Sequence, residues 1–184
     1  MRIAVTGTHG SGKTTLIEDL VESLASYQSV PEPYWLLAQD GTPFADGPNT
    51  ADLEEQLGRS CTLLLDQVTE DSVVFDRCPL DFIAYLEVVS ASEGHEWLPQ
   101  GRLLHRVGKA LATLDLIVFV PLRQPDEIRV SIEFPQLRSR VDRRLKTMLR
   151  QDDLGLLGHG TRILEVSGTR EHRVTQIVAA MDGA

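Results

Sequence analysis

The chain has 184 residues, of which 27 are acidic and 18 basic, and its formal net charge is −9. This length suits one domain with a full hydrophobic core and leaves no space for a second catalytic domain. The acidic excess argues against a surface for duplex nucleic acid, because counterion release needs clustered cations. No apolar run approaches the ~20 residues of a membrane span, so we expect no membrane partner.

The two cysteines predict a reducing compartment. Cys61 and Cys78 lie in apolar sequence, without C-x-x-C spacing or a nearby histidine that would suggest a zinc site. Buried free thiols are the simplest interpretation. The chain also begins directly with its first strand and shows no signal segment, so we expect a cytoplasmic protein.

The first motif is a glycine-rich loop between an apolar strand, Ile3-Ala4-Val5, and an amphipathic helix. The loop runs Gly7-Thr8-His9-Gly10-Ser11-Gly12-Lys13-Thr14 and fits the P-loop pattern G-x-x-x-x-G-K-[ST]. Its glycines let backbone N–H groups turn toward one centre, and the helix that begins near Gly12 adds its positive dipole end. Phosphate oxygens fit such a centre.

This loop predicts a site for ATP and Mg²⁺. Lys13 would reach the β- and γ-phosphates, and the Thr14 hydroxyl would be a ligand of Mg²⁺. A dinucleotide-binding turn is disfavoured because its G-x-G-x-x-G spacing is absent, and a plain glycine-rich turn is the other alternative. The residues assigned to the nucleotide here are Gly7, His9, Gly10, Ser11, Gly12, Lys13, Thr14 and Thr15.

The segment Pro31-Glu32-Pro33 predicts the end of a second parallel strand. Ligands of open parallel sheets lie beyond the carboxyl ends of the strands, so Glu32 would face the same crevice as the P-loop. A glutamate there can accept a proton from a substrate hydroxyl, whereas the alternative is a solvated turn residue. Tyr34 and Trp35 would cover a substrate ring or anchor the loop to the core.

Residues 41–49 are rich in turn formers and predict a loop on the substrate side. Asn49 predicts the N-cap of an amphipathic helix that ends near Glu70. Gln56 and Gln67 lie on or beside the inward stripe of that helix. Their amides would either read the edge of a base or lie on the helix surface.

The run Val73-Val74-Phe75-Asp76 has the form of a Walker B strand. Asp76 would supply the second Mg²⁺ contact or a proton acceptor, and Arg77 could bind a transferring phosphate through its planar fork of donors. Pro79 suits the first turn of the buried helix that follows. Asp81 in that turn either stabilises the helix dipole or points into the crevice.

A helix over 101–114 and a strand over 115–120 precede an arginine-rich stretch, 126–153. We interpret this stretch as a lid whose arginines neutralise charge on the γ-phosphoryl group, with Arg140 and Arg144 on one shared face. The alternative is an exposed helix with ion pairs such as Asp142 with Lys146. The arginines of the stretch are Arg129, Arg138, Arg140, Arg143, Arg144 and Arg150.

A fifth strand over 162–166 and a last helix over 170–181 complete the chain. The loop between them contains Gly168 and Thr169 and could pass beside the adenine ring. Strands and helices alternate along the whole length, which predicts an α/β doubly wound parallel five-stranded sheet with helices on both faces. We expect one domain over 1–184 that includes the lid.

With these elements in place, the chain resembles the small P-loop kinases, above all the deoxynucleoside kinases and the ribosylnicotinamide-kinase-like ATP-binding proteins. Besides the P-loop and the lid, the resemblance depends on Pro31-Glu32-Pro33, Asp76-Arg77-Cys78 and Glu165-Val166-Ser167-Gly168-Thr169. It implies that Glu32 lies near the hydroxyl to be phosphorylated and that Arg77 contacts a phosphate or hydroxyl. Cys78 stands where these kinases usually have a serine. Asp76 replaces their usual glutamate, and this shorter acid favours a resemblance to the ribosylnicotinamide-kinase-like group.

These observations predict an ATP- and Mg²⁺-dependent kinase that phosphorylates a hydroxyl of a small molecule, a nucleoside or similar ribosyl compound. Thr14 and Asp76 would hold Mg²⁺, and either Glu32 or Asp76 would be the base. The residues assigned to catalysis are Lys13, Glu32, Asp76, Arg77, Arg140 and Arg144.

Other functions stay open at this point. A nucleoside monophosphate kinase needs more arginines on the acceptor side, a polynucleotide 5′-kinase needs a basic channel, and a regulatory ATPase needs no small acceptor. A GTPase is disfavoured because the chain has no N-K-x-D segment and no D-x-x-G after the Walker B strand. We expect no duplex nucleic acid as partner and leave open whether the protein is a homodimer.

Overall fold

The structure is a computed structural model that describes residues 1–66, 68–123, 134–158 and 160–182. Its centre is a sheet of five parallel strands in the order β2-β3-β1-β4-β5. The predictions made for Gln67, Arg129 and residues 126–133 of the lid lie outside the described residues. The strands are β1 (Arg2–Thr6), β2 (Gln28–Val30), β3 (Val73–Asp76), β4 (Leu116–Phe119) and β5 (Arg162–Glu165).

Helices cover both faces of the sheet, as predicted. The part of the chain that the structure describes contains seven of them: α1 (Lys13–Ser23), α2 (Pro33–Gln39), α3 (Thr50–Asp66), α4 (Pro79–Ser92), α5 (Gly101–Leu111), α6 (Pro135–Gln151) and α7 (Arg170–Asp182). Helices α1 and α7 pack together on one face, while α3 to α6 form the layer on the other.

Alternation along the strands divides the core into two clusters. In β1, Ala4 joins the cluster beneath α3 to α6, whereas Ile3 and Val5 join the cluster beneath α1 and α7. The same alternation separates Phe75 from Val74 in β3. Successive side chains of a strand point to opposite faces, so a sheet covered on both sides needs apolar residues at every position.

Two elements differ from the sequence prediction. β2 ends at Val30, directly before Pro31-Glu32-Pro33, and Pro33 then starts the short helix α2, because a residue without N–H fits the first helical position. Residues 135–151 of the predicted lid form α6, a helix packed against α4 through buried side chains such as Val141 and Leu145. The described part of the lid is therefore an integral part of the domain.

Several local predictions are confirmed. Asn49 caps α3, since its side-chain oxygen accepts the Asp52 N–H at 2.9 Å, although α3 ends at Asp66 and not near Glu70. Both cysteines are buried and free. Lys146 pairs with Asp142 at 2.9 Å, as expected one turn apart on a helix. Within the described ranges, no helix is both long and apolar enough to cross a bilayer.

Candidate active site

The P-loop joins the end of β1 to the first turn of α1. Gly7 is required by close packing, because a Cβ there would lie 2.6 Å from the Val120 carbonyl oxygen. Gly12 has φ 89° and is the N-cap of α1, a left-handed conformation that glycine adopts at little cost. The first N–H groups of α1 have no partner within the helix. These N–H groups are the ones that the sequence predicts to bind an anion.

Lys13 lies buried beneath the loop. Its ammonium group donates to the Thr8 carbonyl oxygen at 3.1 Å. Burial lowers the pKa of Lys13 to about 8, helped by the Arg77 charge and opposed by the carboxylates of Asp76, Glu32 and Asp81. Bound phosphates would supply the negative charge that this buried cation lacks.

Asp76 and Thr14 meet at the edge of the P-loop, where the sequence predicts Mg²⁺. Thr14 donates its hydroxyl hydrogen to Asp76 Oδ2 at 3.0 Å, while Asp76 Oδ1 is buried without a hydrogen-bond partner among the described residues. Burial raises the pKa of Asp76, with Lys13 and Arg77 acting in the opposite direction. An unsatisfied carboxylate oxygen beside a hydroxyl suits Mg²⁺, which is commonly bound by one or two protein oxygens, water and substrate phosphates.

The buried Arg77 and the half-buried Glu32 form an ion pair at the carboxyl ends of β2 and β3. Arg77 Nε donates to Glu32 Oε1 at 2.7 Å, and its Nη1 donates to the Gly7 carbonyl oxygen at 2.9 Å. Burial acts to raise the pKa of Glu32, but the charges of Arg77 and Lys13 outweigh it and the pKa is lowered. Glu32 is therefore ionised at neutral pH, beside the P-loop as predicted.

The structure shows which groups Asp81 contacts, a question that the sequence left open between the α4 dipole and the crevice. Its side chain is fully buried and accepts hydrogen bonds from the Thr6 hydroxyl at 2.7 Å and the Gly7 N–H at 3.0 Å. It also accepts from the Cys78 N–H at 3.0 Å and from Arg77 Nη1 at 3.2 Å. Asp81 thus caps α4 and at the same time ties the P-loop to Arg77.

A cavity of about 580 Å³ opens beside Glu32 and Arg77. The loop over 41–49 lines it, as expected for a loop on the substrate side. Gln56 also reaches it, buried in α3. Its aromatic walls are Tyr34, Trp35, Phe44, Phe82, Tyr85 and Phe134, and its polar lining includes His9, Glu32, Asn49, Asp52, Gln56 and Arg77.

The arginines of α6 lie differently from the prediction. Arg138 is buried and reaches the P-loop, where Nε donates to the His9 carbonyl oxygen at 2.8 Å and Nη2 to that of Gly10 at 2.7 Å. Arg140 is exposed. Arg144 forms ion pairs with Glu87 and Asp153, because its face of α6 packs on α4. The structure therefore brings Arg138 to the phosphate-binding loop and places Arg144 in a structural network.

Of the remaining predicted residues, Ser11 and Thr15 belong to the P-loop and the first turn of α1, whereas Gly168 and Thr169 lie between β5 and α7. Ser11 Oγ is buried without a hydrogen-bond partner in the described part of the chain, and Thr15 lies in the first turn of α1. Gly168 has φ 101°, and the Thr169 hydroxyl accepts the His172 N–H at 3.3 Å as a cap of α7. No described contact joins Gly168 or Thr169 to the P-loop, so their role beside adenine stays a prediction.

A family model described as "AAA domain" (AAA_28) matches residues 2–173. The chain belongs to this family. No curated protein matches it.

Solved structures of small P-loop kinases share its fold. Deoxyadenosine kinase from M. mycoides with bound dATP has a TM-score of 0.66 at 12% identity, over 99% of this chain and 100% of that chain. Thymidylate kinase from Candida albicans has a TM-score of 0.65 at 16% identity, over 99% and 91%. Shikimate kinase from Aquifex aeolicus has a TM-score of 0.54 at 16% identity, over 100% and 97%. The predicted P-loop kinase fold is confirmed.

Two residues of this site, Tyr85 and Arg138, were not singled out from the sequence. Tyr85 contacts the P-loop from α4, but it stands in a helix that is apolar around most of its circumference, so periodicity did not single it out. Arg138 was one of six arginines, and spacing alone does not tell which of them faces the loop. The signal for Tyr85 was its position one turn after Asp81, which places both on one helix face.

Proposed function

We propose that this protein is an ATP- and Mg²⁺-dependent kinase that transfers the γ-phosphoryl group to a hydroxyl of a small molecule, a nucleoside or similar ribosyl compound. The observation that carries the proposal is the bond from Arg77 Nη1 to the Gly7 carbonyl oxygen at 2.9 Å. Through it, the Glu32–Arg77 pair at the acceptor cavity is attached directly to the start of the P-loop. Donor and acceptor groups therefore meet in one crevice.

The nucleotide would be held by the P-loop. Its N–H groups and Lys13 would bind the phosphates, and the Ser11 hydroxyl, which has no hydrogen-bond partner among the described residues, would be a further donor. Arg138 approaches the same loop from α6 and would neutralise charge on the γ-phosphoryl oxygens. We do not assign this neutralising role to Arg140 or Arg144.

Thr14 and Asp76 would hold Mg²⁺, directly or through water. The ion, when bound, neutralises charge on the phosphate oxygens. The buried, unpaired Asp76 Oδ1 and the raised pKa of this carboxyl both indicate a group suited to a cation ligand. We therefore assign Asp76 to the metal and leave the acceptor hydroxyl to Glu32.

Glu32 would orient the acceptor hydroxyl. With a lowered pKa it is a weak base, which suits phosphoryl transfer, because a loose transition state needs positioning more than early proton removal. Arg77 keeps Glu32 in place and is one of the fixed positive charges at the point of transfer.

The cavity supports a neutral acceptor that carries a ring. Its aromatic walls can pack on the faces of a base, and the Gln56 amide can pair with a base edge. Arg77 is the one arginine or lysine among the described lining residues, and it is engaged with Glu32 and Asp81. This disfavours a monophosphate acceptor, although one structure with a similar fold is named a thymidylate kinase.

A decisive experiment measures ADP production from ATP and Mg²⁺ across a panel of nucleosides and other ribosyl compounds. We expect turnover that depends on one class of acceptor and disappears in Lys13→Ala. Lys109→Ala is the matched control, because Lys109 is exposed on α5. Turnover independent of every acceptor would instead favour a regulatory ATPase. A cytoplasmic location, which suits the two free thiols, is part of the same proposal.

A further inference from the structure

We propose that Tyr85 is a positioning residue that holds the P-loop in its phosphate-binding conformation. The inference rests on the proposed nucleotide-binding function. Tyr85 lies on α4, is 8% exposed and forms part of the wall of the acceptor cavity. It would contact neither phosphate nor Mg²⁺ and would act through the loop.

Among the described residues, the Tyr85 hydroxyl has three polar contacts, all with the P-loop. It lies 2.9 Å from the His9 backbone nitrogen, which donates to it, 2.8 Å from His9 Nδ1 and 3.0 Å from Thr8 Oγ1. A tyrosine hydroxyl can donate one hydrogen bond and accept two. The loop alone therefore uses the full hydrogen-bonding capacity of this side chain.

The helix that carries Tyr85 fixes its position. Asp81 lies one turn earlier on the same face of α4 and accepts hydrogen bonds from Thr6 and Gly7. One face of a buried helix thus binds four consecutive residues, Thr6 to His9. The Arg77 guanidinium lies 5.5 Å from the centre of the Tyr85 ring and limits the movement of the ring.

Thr8 connects Tyr85 to Lys13 of the proposed phosphate site. The Thr8 carbonyl oxygen accepts a hydrogen bond from Lys13, and its hydroxyl contacts Tyr85. Removing the Tyr85 hydroxyl would leave the buried Thr8 hydroxyl and the His9 N–H without this partner, so the loop would adopt other conformations. Lys13 and the N–H groups near it would then be less well placed for phosphates.

The test compares Tyr85→Phe with Tyr27→Phe in the full-length protein. Tyr27 is also buried, but it belongs to the core cluster beneath α1 and α7 and has no described contact with the P-loop. We expect Tyr85→Phe to bind ATP with Mg²⁺ roughly 5–30-fold more weakly, as lost hydrogen bonds of about 1–2 kcal/mol would give. Tyr27→Phe should bind within about twofold of the parent.

A second pair of variants separates positioning from general loss of stability. Thr8→Val should weaken ATP binding in the same direction, and the double variant with Tyr85→Phe should lose less than the product of the two single effects. Independent, multiplying effects would overturn the proposal, as would Tyr85→Phe binding within twofold of the parent. If the parent binds ATP and only these expectations fail, the proposed kinase function stands. If the parent binds no nucleotide, both fall.

Discussion

Arg77 and Glu32 form a partly buried ion pair 2.7 Å long in which the arginine has a left-handed backbone, with φ 75°. For a residue other than glycine this conformation costs roughly 1–2 kcal/mol. The cost is offset by the Arg77 N–H, which donates to the Val5 carbonyl oxygen at 3.0 Å, and by the contacts of the guanidinium. The acceptor side of the crevice is therefore held in place by its own ion pair before any substrate binds.

Glu32→Gln should reduce acceptor phosphorylation by about 10²-fold or more, because the hydroxyl loses its charged acceptor. Nucleotide binding should change by less than about threefold, since Glu32 does not contact the P-loop nitrogens. Acceptor-dependent ADP formation and ATP titrations measure the two effects. Glu165→Gln, in an exposed pair with Arg150, is the matched control. Phosphorylation within a few-fold of the parent would show that Glu32 is not the hydroxyl acceptor.

The same pair predicts how stability depends on pH. Because the folded-state pKa of Glu32 lies below 4.5, its ionised form stabilises the fold above that pH, and the stabilisation is lost as pH falls through the folded value. The Tm difference between parent and Glu32→Gln should therefore be largest near neutrality and shrink below about pH 4.5. Thermal unfolding from pH 3 to 8 measures it. A difference that grows in acid would contradict the lowered pKa.

Asp81→Asn should destabilise the protein by roughly 3 kcal/mol. The amide would direct its N–H groups toward buried donors, and the buried Arg77 charge would lose one of its two carboxylate partners. For a domain of this size that corresponds to a Tm lower by ~6–12 °C. Asp153→Asn makes the same chemical change at a partly exposed pair with Arg144 and should cost less than about 1 kcal/mol. Equal losses in the two variants would exclude a special role for Asp81.

Asp76→Asn should abolish Mg²⁺-dependent turnover and yet raise the Tm of the protein without Mg²⁺. The raised pKa of Asp76 means that the fold opposes the ionised carboxylate at neutral pH, so a neutral amide relieves a cost. Adding Mg²⁺ with nucleotide should stabilise the parent more than the variant. These shifts are visible by thermal unfolding with and without the ion. A lower Tm for the metal-free variant would refute this account.

The arginines of α6 give a comparison within one helix. Arg138→Ala should raise the KM for ATP and lower kcat, each by about tenfold or more, because its guanidinium lies on the P-loop. Arg140→Ala should stay within about twofold for both. Arg144→Ala should lower the Tm through loss of its Glu87 pair and leave the KM for ATP nearly unchanged. Steady-state kinetics of the three variants measure these effects. If Arg144→Ala raised the KM for ATP most, our assignment of Arg138 would be wrong.

Much of this arrangement was predictable because it is local in sequence. The P-loop is a contiguous motif, and Asp76 follows an apolar strand that directs it to the crevice. The helices α1, α3 and α7 follow from apolar spacing. Glu32 was placed at the correct sheet edge because β2 ends two residues before it, at Val30.

What the sequence could not supply depends on packing between distant segments. The spacing of Arg140 and Arg144 shows that they share a face, but only the structure shows that Arg140 is exposed and that Arg144 pairs with Glu87 and Asp153. Helix α2 was not predicted because the prolines of 31–33 indicated only the end of a strand, whereas Pro33 also starts a helix. The role of Tyr85 could not be predicted because nearly every residue of α4 around it is also buried.

The strand order has a consequence for protein engineering. The acceptor groups follow β2 and β3 on one flank of β1, while Gly168 and Thr169 follow β5 at the opposite edge of the sheet. The two substrates would thus approach the central strand from different sides. Residues 34–49, which leave out Glu32 and include cavity-lining side chains, are therefore the segment to vary in a selection for new acceptors, while the P-loop sequence stays unchanged.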